Sequence, residues 1–452
     1  MLNIEQNSNW LLKQTELNGD ACAVKINQKQ ITYSELKHLV HERTKDLASS
    51  INNEDIVGIL ANHSIQFIVD LFALWNFGAA VLPINPNLKE SEIQDQINFI
   101  GCKTLPKKEV DTTTEFEYKN CSSDSIALIM FTSGSTGNPK AVVHTFENLY
   151  SSAESIDKLL QFKQNEKWLA SLPFYRIGGF QIILRAILSG GTICIPTEVS
   201  SEEISNSISL YQPDYISVVN PILEKLTATN KEELQNSKAV FAGGGPVESN
   251  LIKKGIENGI SIYKVYGSTE TGSMVSILHP KEAAEKFESA GKPLPGVKIK
   301  IDDDQICVSA SSLFKEYYKN KEQTTDKLYN NWYYTGDEGY IDEDGFLFVT
   351  NRKDNFIISG GEKVNPKEIE KALTSFDKIE KVIVFSVPDK KWGEKICAAV
   401  VSKTNLDLDE IHKSLKQILP SYKIPKMIKQ IESIPFDEMG KANLTELQNL
   451  FD

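Results

Sequence analysis

The sequence lacks the features of secreted, membrane-spanning and nucleic-acid-coating proteins. Its N-terminus has no basic segment followed by an apolar one, and its longest apolar stretch, 67–84, is interrupted by Asp70, Asn76 and Gly78. Positive charge is also in deficit, with 49 Lys and Arg against 61 Asp and Glu and a net charge of −12. We therefore expect a cytoplasmic protein with no membrane span and no nucleic-acid partner, whose anionic ligands are held by local sites.

Paired cysteines are missing as well. The six cysteines stand far apart, with no CxxC pair and no spacing typical of metal ligands. This pattern favours reduced core residues over disulfides or a metal centre.

The 452 residues exceed what one hydrophobic core usually serves, and neither repeats nor low-complexity segments occur. From about residue 55 to 275, β-rich and helical segments alternate, which predicts βαβ units around parallel sheets. Residues 296–349 have short strands and turns, and a new helix start follows at Asn365 and Pro366. The sequence thus predicts an α/β fold with a large N-terminal domain, 1–351, that includes a β-rich subdomain, and a small α+β C-terminal domain, 352–452.

The segment IMFTSGSTGNPKAVVHT, residues 129–145, predicts a phosphate site. Glycines let backbone N–H groups approach phosphate oxygens, hydroxyls add donors, and Lys140 adds a positive charge. A Walker A loop is excluded because Pro139 precedes the lysine and Ala141 follows it. A flexible surface loop would have the same composition.

Further motifs follow in a fixed order. They are ITYSEL (31–36), GAAVLPINP (78–86), AGGGP (242–246), YGSTETG (266–272), YTGD (334–337), NRKDNFIISGGEKVNPKEIE (351–370) and PFDEMGK (435–441). With TSGSTGNPK, this series resembles the adenylate-forming superfamily of acyl-CoA synthetases, peptide-synthetase adenylation domains and luciferases, over nearly the whole chain. The resemblance implies that the C-terminal domain is a mobile lid and that ATP, Mg²⁺ and a carboxylic acid are bound.

The resemblance also implies residue roles. Lys441 serves the carboxylate and the bridging oxygen, Glu270 holds Mg²⁺ with support from Thr136, and Thr132 joins the catalytic set. Asp354 is the hinge, near 352–354, and Lys363 lies in the segment used for the coenzyme A step. The ATP-binding residues are Ser133, Gly134, Ser135, Thr136, Gly137, Lys140, Gly243, Gly244, Gly245, Tyr266, Gly267, Ser268, Thr269, Asp337 and Arg352, of which Asp337 and Arg352 are assigned to the ribose and Tyr266 to adenine.

Each charged residue also has a structural alternative. Asp337 stands beside glycines, where an Asx-turn is common. Glu270 could be a solvated acid at a helix start, and Lys441 could be one of many surface lysines. The order of the motifs favours the functional roles. The sequence departs from the family pattern at Asp437, where threonine is usual, and at Asn351, where glycine is usual.

Within the superfamily, PKAVVHT, FAGGGP and ISGGEKVNP most resemble the o-succinylbenzoate–CoA ligases of menaquinone synthesis. In that branch the arginine equivalent to Arg185 faces the second carboxylate of the acid. Arg185 lies in the apolar segment IILRAIL, where a guanidinium without an anion is costly; it could otherwise snorkel to solvent or pair with an internal acid. His144, Arg176 and Gly178 complete the predicted acid-binding set, and the neighbouring Gly178 and Gly179 could make room for an aromatic ring. Relatives often have His or an aromatic residue at 176 and Ser at 178.

Three functions remain open at this point. The first is a two-step acid–CoA ligase acting on o-succinylbenzoate. The second is a stand-alone adenylating enzyme that loads a carrier protein or forms an amide. The third is a non-catalytic nucleotide-binding regulator, which Lys441, Glu270 and Asp337 together argue against. Oligomeric state stays open.

Overall fold

A computed structural model describes residues 9–105, 121–132, 140–352, 357–359, 362–389, 391–437 and 441–451. The chain divides into two compact units. The first comprises residues 1–302, 307–335 and 341–348, and the second comprises 303–306, 336–340 and 349–452.

Helices of 6 to 15 residues make up much of the part of the chain that the structure describes. They are α1 (Trp10–Asn18), α2 (Tyr33–Leu47), α3 (Ile65–Phe77), α4 (Glu90–Ile100), α5 (Phe146–Leu160), α6 (Ile177–Ser189), α7 (Ser201–Tyr211), α8 (Asn220–Thr229), α9 (Lys231–Asn236), α10 (Ser249–Glu257), α11 (Pro280–Lys286), α12 (Lys321–Lys327), α13 (Pro366–Thr374), α14 (Leu408–Ile418) and α15 (Leu444–Phe451), with a 3₁₀ turn at Ser421–Lys423.

The strands of the described residues form four sheets. They are β1 (Cys22–Ile26), β2 (Lys29–Thr32), β3 (Ile56–Leu60), β4 (Ala80–Ile84), β5 (Lys103–Thr104), β6 (Ile126–Thr132), β7 (Lys140–Thr145), β8 (Lys167–Leu169), β9 (Thr192–Ile195), β10 (Tyr215–Val218), β11 (Ala239–Ala242), β12 (Ile262–Ser268), β13 (Ser273–Leu278), β14 (Lys292–Pro293), β15 (Lys298–Asp302), β16 (Gln305–Ser309), β17 (Glu316–Tyr317), β18 (Leu328–Tyr329), β19 (Trp332–Ile341), β20 (Leu347–Arg352), β21 (Ile357–Ser359), β22 (Glu362–Val364), β23 (Lys381–Asp389), β24 (Gly393–Val401) and β25 (Met427–Gln430).

The largest sheet has the order β14-β13-β12-β11-β10-β8-β9-β1-β2. Its six central strands, from β12 to β1, are parallel, and antiparallel strands close both edges. Buried apolar residues of β10 and β11 pack with α7, α8 and α10, as expected for a parallel sheet covered by helices. A second sheet, in the order β17-β7-β6-β4-β3-β5, is parallel from β5 to β6 and antiparallel beyond.

The polar residues that interrupt the apolar stretch 67–84 have partners on helix α2. Asp70 is paired with Arg43, whose Nε lies 2.6 Å from Oδ1, and Asn76 donates to the Thr44 hydroxyl at 3.0 Å. The stretch therefore forms helix α3 and strand β4 of the core, separated by Gly78 at φ 79°. No helix of the described residues is long and apolar enough to cross a membrane.

The second unit contains the sheet β22-β21-β24-β23, with β25 beside β24. Alternate residues of β24 face opposite sides: Ile396 and Ala398 belong to a core with α13 and α14, whereas Cys397 and Ala399 belong to a core with α15. Helix α13 begins as predicted, with the Asn365 side chain accepting from the Lys367 N–H. The predicted α/β sheets followed by a smaller α+β unit are confirmed, while the boundary at 351 stays a prediction.

No disulfide joins the six cysteines, which all lie within the described ranges. Cys194, Cys307 and Cys397 are buried, and the other three are half-buried.

Candidate active site

The carboxyl ends of neighbouring parallel strands in the largest sheet hold many of the predicted site residues. Gly243, Gly244 and Gly245 follow β11, and Tyr266 to Ser268 end β12. Arg176 follows β8, which is a neighbour of β10 in the same sheet. In open α/β sheets this edge is where ligands bind.

At two of these positions glycine is required because a neighbouring strand lies too close to leave space for a Cβ atom. A Cβ at Gly243 would lie 2.5 Å from Cγ2 of Val265, and one at Gly267 would lie 1.9 Å from the Ser273 carbonyl oxygen. The second contact accompanies a β-bulge between Tyr266 and Gly267. Here the glycines permit neighbouring strands to pack, so their presence does not depend on ATP alone.

The predicted phosphate segment, residues 129–145, includes the antiparallel pair β6–β7. Thr132, the last residue of β6, pairs with Lys140, the first residue of β7. The residues between them, Ser133, Gly134, Ser135, Thr136 and Gly137 among them, lie outside the described residues. Their assignment to phosphate and to Mg²⁺ stays a prediction.

His144 lies further along β7 and is fully buried. Its Nε2 is 2.8 Å from the Thr269 carbonyl oxygen, and because a carbonyl can only accept, Nε2 carries the proton. Burial lowers the pKa of His144 to about 4, against a smaller opposing effect of the Thr269 carbonyl. The imidazole is therefore neutral at ordinary pH and joins β7 to the segment before Glu270. Its predicted contact with the acid stays a prediction.

Glu270 lies in a turn between β12 and β13, which we call the Glu270 turn, residues 268–273. Oε1 of Glu270 accepts a hydrogen bond from the Tyr317 hydroxyl at 3.0 Å, and its backbone carbonyl accepts from the Phe314 N–H at 2.8 Å. Lys140 Nζ lies 5.7 Å from the centroid of the Tyr317 ring. Tyr317 thus contacts both a predicted metal ligand and a predicted phosphate ligand.

The residues present fit Mg²⁺. No group of three or more His, Cys, Asp or Glu side chains suited to a metal occurs within the described ranges. Mg²⁺ typically uses one or two protein carboxylates and takes its other ligands from water and substrate phosphates. The half-buried Glu270 has one oxygen engaged by Tyr317 and a second with lone pairs for a cation.

Hydrogen bonds within the Glu270 turn fix its shape. The Thr271 hydroxyl accepts from the Ser268 N–H at 2.8 Å and lies 2.6 Å from the Ser273 carbonyl oxygen. Ser152 of α5 donates to the Gly272 carbonyl at 2.8 Å. Ser273 has a φ of +126°, a backbone region that side chains rarely occupy. Contacts from several elements are therefore needed to hold this turn.

Arg185 lies on α6 with 1% of its surface exposed. Its Nη2 donates to the Ser273 hydroxyl at 3.3 Å, and its buried Nε has no partner among the described residues. Burial lowers its pKa to about 9, with no acidic neighbour to oppose the shift. Snorkelling and pairing with an internal acid are both excluded for the described part of the chain.

Arg176 is the residue before α6, and the predicted room for a ring beside it is only partly present. Its guanidinium lies 5.6 Å from the Tyr175 ring centroid, and its buried Nε has no partner in the described ranges. A Cβ at Gly179 would lie 2.2 Å from the Pro173 carbonyl oxygen, so the expectation that Gly179 makes room for a ring is wrong. At Gly178 the nearest atom is Cδ1 of Leu172, at 3.1 Å.

Asp337 and Lys441 belong to the second unit. Asp337 is a half-buried residue of β19 that follows Gly336 at φ 84°. Lys441 is exposed, and its N–H donates to Oδ1 of Asp437 at 2.9 Å. The Asp437 N–H donates to the Lys441 carbonyl at 2.7 Å. The aspartate that replaces the usual threonine is therefore hydrogen-bonded to the backbone of the lysine.

The hinge residue Asp354 and the side chains of Arg352 and Lys363 also lie outside the described part of the structure, so their roles stay predictions. Conversely, the sequence interpretation missed Tyr317, Tyr333, Ser152 and Ser273. A tyrosine 47 residues from the acid that it contacts carries no signal in local spacing.

Comparison with known families matches both parts of the chain. The family described as AMP-binding enzyme matches residues 11–117 and 104–318, and the AMP-binding enzyme C-terminal domain matches residues 368–441.

Individual proteins are similar over almost their full length. The 2-succinylbenzoate–CoA ligase of Geobacillus sp. (strain WCH70) is 31% identical over an alignment of 482 residues. The alignment covers 98% of this chain and 97% of the relative. The o-succinylbenzoate CoA synthetase of Bacillus subtilis in complex with its acyl-adenylate intermediate has a TM-score of 0.86 and 28% identity, covering 97% and 98% of the two chains. The same synthetase in complex with ATP and magnesium ion gives a TM-score of 0.85 and 27% identity, covering 97% and 99%.

Proposed function

This chain belongs to the AMP-binding enzyme family, and we propose that it is an ATP-dependent acid–CoA ligase that acts on o-succinylbenzoate in menaquinone biosynthesis. Its similarity to 2-succinylbenzoate–CoA ligases over 98% of the chain supports this function. The motif order supports it further.

Arg185 is the observation that carries the choice of acid. A buried guanidinium with no carboxylate partner and an unpartnered Nε requires an anion to offset its desolvation. The acid o-succinylbenzoate has two carboxylates, so one can react while the other pairs with Arg185. A monoacid leaves the guanidinium unpaired and is rejected.

The first step forms the acyl-adenylate. A carboxylate oxygen of the acid attacks the α-phosphorus of ATP, and pyrophosphate leaves with the electron pair of the broken P–O bond. Two anionic groups must meet, so positive charge and donors are needed where charge builds up. We assign Lys140 to the phosphates, Lys441 to the carboxylate and bridging oxygen, and Thr132 and the 133–137 segment to further donors.

The nucleotide is held by groups suited to its parts. We assign Tyr266 and Gly243 to Gly245 to adenine, and Asp337 to the ribose, because one carboxylate can accept from both hydroxyls. Glu270 would hold Mg²⁺, which neutralises phosphate charge when bound. His144 and the hydrogen bonds inside the Glu270 turn keep this carboxylate in place.

The second step forms the thioester. The thiol of coenzyme A loses its proton to solvent, its sulfur attacks the acyl carbon, and AMP leaves with the electron pair of the broken C–O bond. We assign the segment around Lys363 to this step. We assign Asp354 to the hinge at which the C-terminal lid changes its orientation between the two steps.

The test measures pyrophosphate release for o-succinylbenzoate, benzoate, a cinnamate and medium-chain fatty acids, each with and without coenzyme A. The proposed function predicts turnover with o-succinylbenzoate and formation of its CoA thioester. Discrimination against the monoacids should reach about 10⁴, since buried polar groups reject substrates that leave them unpaired. A monoacid with the higher kcat/KM would overturn the assignment of the acid. Adenylation without any thioester product would favour a carrier-protein acceptor instead.

A further inference from the structure

Tyr317 is a buried phenol that the proposed reaction has not used. It is 3% exposed and belongs to β17, which pairs with β7 so that Tyr317 stands opposite Val142. Its hydroxyl reaches the Glu270 carboxylate, and its ring faces the Lys140 ammonium. Lys140 belongs to β7 of the second sheet, whereas Glu270 lies in a turn between two strands of the largest sheet, and Tyr317 contacts both of them.

A second buried tyrosine supports the first. Tyr333 of β19 is also 3% exposed and is hydrogen-bonded to Tyr317. Burial and then the negative charge of Glu270 raise the pKa of Tyr333 well above its ordinary value, so this hydroxyl remains a donor. The Phe314 ring packs against both tyrosines, with centroid distances of 4.7 and 5.4 Å. The Tyr317 ring is therefore fixed on several sides.

This arrangement restricts the Glu270 carboxylate. An unsupported glutamate side chain samples several rotamers, and a metal that binds it must first select one. A hydrogen bond from a fixed phenol holds one carboxylate oxygen in place and leaves the other for a cation. Partners of this kind, one shell outside a metal, typically change metal affinity 10–100-fold when they are removed.

We propose that Tyr317 is a positioning residue that holds the Glu270 carboxylate for the metal of the nucleotide complex, with its ring supporting Lys140 and with Tyr333 fixing its hydroxyl. This inference rests on the proposed function, because it needs Glu270 to serve the metal–ATP complex. It assigns no chemical step to the phenol.

The chain offers a matched control in the next residue. The Tyr318 hydroxyl donates to the Ile100 carbonyl at 3.0 Å, the same distance as the contact of Tyr317 with Glu270. Tyr318 also has a lysine against its ring, Lys319, at 5.1 Å. Tyr318→Phe therefore removes an equivalent hydrogen bond with no contact to Glu270.

The experiment measures Mn²⁺ binding by electron paramagnetic resonance in the presence of a non-hydrolysable ATP analogue, with the full chain. We expect Tyr317→Phe to weaken Mn²⁺ binding about 10-fold and Tyr318→Phe to leave it unchanged, while both variants keep a similar Tm. In a Glu270→Gln background, Tyr317→Phe should cause no further loss, because its contact is with the carboxylate. Thioester formation from supplied acyl-adenylate should not change in Tyr317→Phe.

The outcomes separate the two proposals. Equal Mn²⁺ affinity in Tyr317→Phe, Tyr318→Phe and the parent protein would refute the positioning role and leave the proposed function intact. Additive losses in the Glu270→Gln background would also refute it. A parent protein that binds no Mn²⁺–nucleotide complex would overturn the proposed function together with this inference.

Discussion

Replacing Arg185 by methionine should affect stability and specificity in opposite directions. Burial lowers the pKa of Arg185 to about 9, a shift that corresponds to roughly 5 kcal/mol of unfavourable free energy for the buried cation. Methionine fills a similar volume without a charge, so we expect the free energy of unfolding to rise by about 1–4 kcal/mol. Urea titrations at pH 7 and low salt measure this change.

The same free energy sets the scale for substrate binding. If the second carboxylate of the acid offsets the desolvation of the guanidinium, about 5 kcal/mol of interaction is lost in Arg185→Met, or a factor of about 10³ to 10⁴ in kcat/KM for o-succinylbenzoate. The KM for ATP should change little, since the contact is on the acid side. Rates with monoacids should stay constant or rise.

Ser189→Ala is the control for this helix. The Ser189 hydroxyl is buried and donates to the Arg185 carbonyl at 2.7 Å, so its removal disturbs α6 without removing the charge. The reasoning is refuted if Arg185→Met lowers kcat/KM equally for diacid and monoacids. It is also refuted if the variant is less stable than the parent while its preference for the diacid is unchanged.

Three other predictions follow from the site and its surroundings. Lys441→Ala should abolish pyrophosphate release and still convert supplied acyl-adenylate to thioester, because the lysine charge is needed only where the α-phosphate reacts. Equal loss of activity in both half-reactions would indicate a structural role for the lysine. Asp354→Pro should leave adenylation measurable and block thioester formation, because proline fixes φ at the hinge. Equal activity in both steps would show that the hinge lies at another residue. Gly179→Ala should destabilise the protein by about 1–3 kcal/mol in a urea titration, because its Cβ would lie 2.5 and 2.2 Å from the backbone oxygens of Leu172 and Pro173. Gly178→Ala is the control and should reduce the free energy of unfolding by less, because its Cβ would meet one flexible side chain at 3.1 Å.

Parts of the fold follow from local sequence. The alternation of β-rich and helical segments predicts the parallel sheets because hydrophobic periodicity and helix caps act over a few residues. Asn365 and Pro366 begin α13 as expected.

The contacts that shape the site were decided by tertiary structure. His144 meets Thr269 across 125 residues, Arg185 meets Ser273 across 88, and Tyr317 meets Glu270 across 47. The sequence identified Arg185 as a cation in an apolar helix. Only the tertiary structure showed that its side chain is buried from solvent and has no carboxylate partner among the described residues. Likewise, it suggested space at Gly179, which the backbone of 172–173 fills. Chemistry held by consecutive residues can be predicted from their order, whereas burial and pairing depend on how sheets and helices pack, which local patterns do not encode.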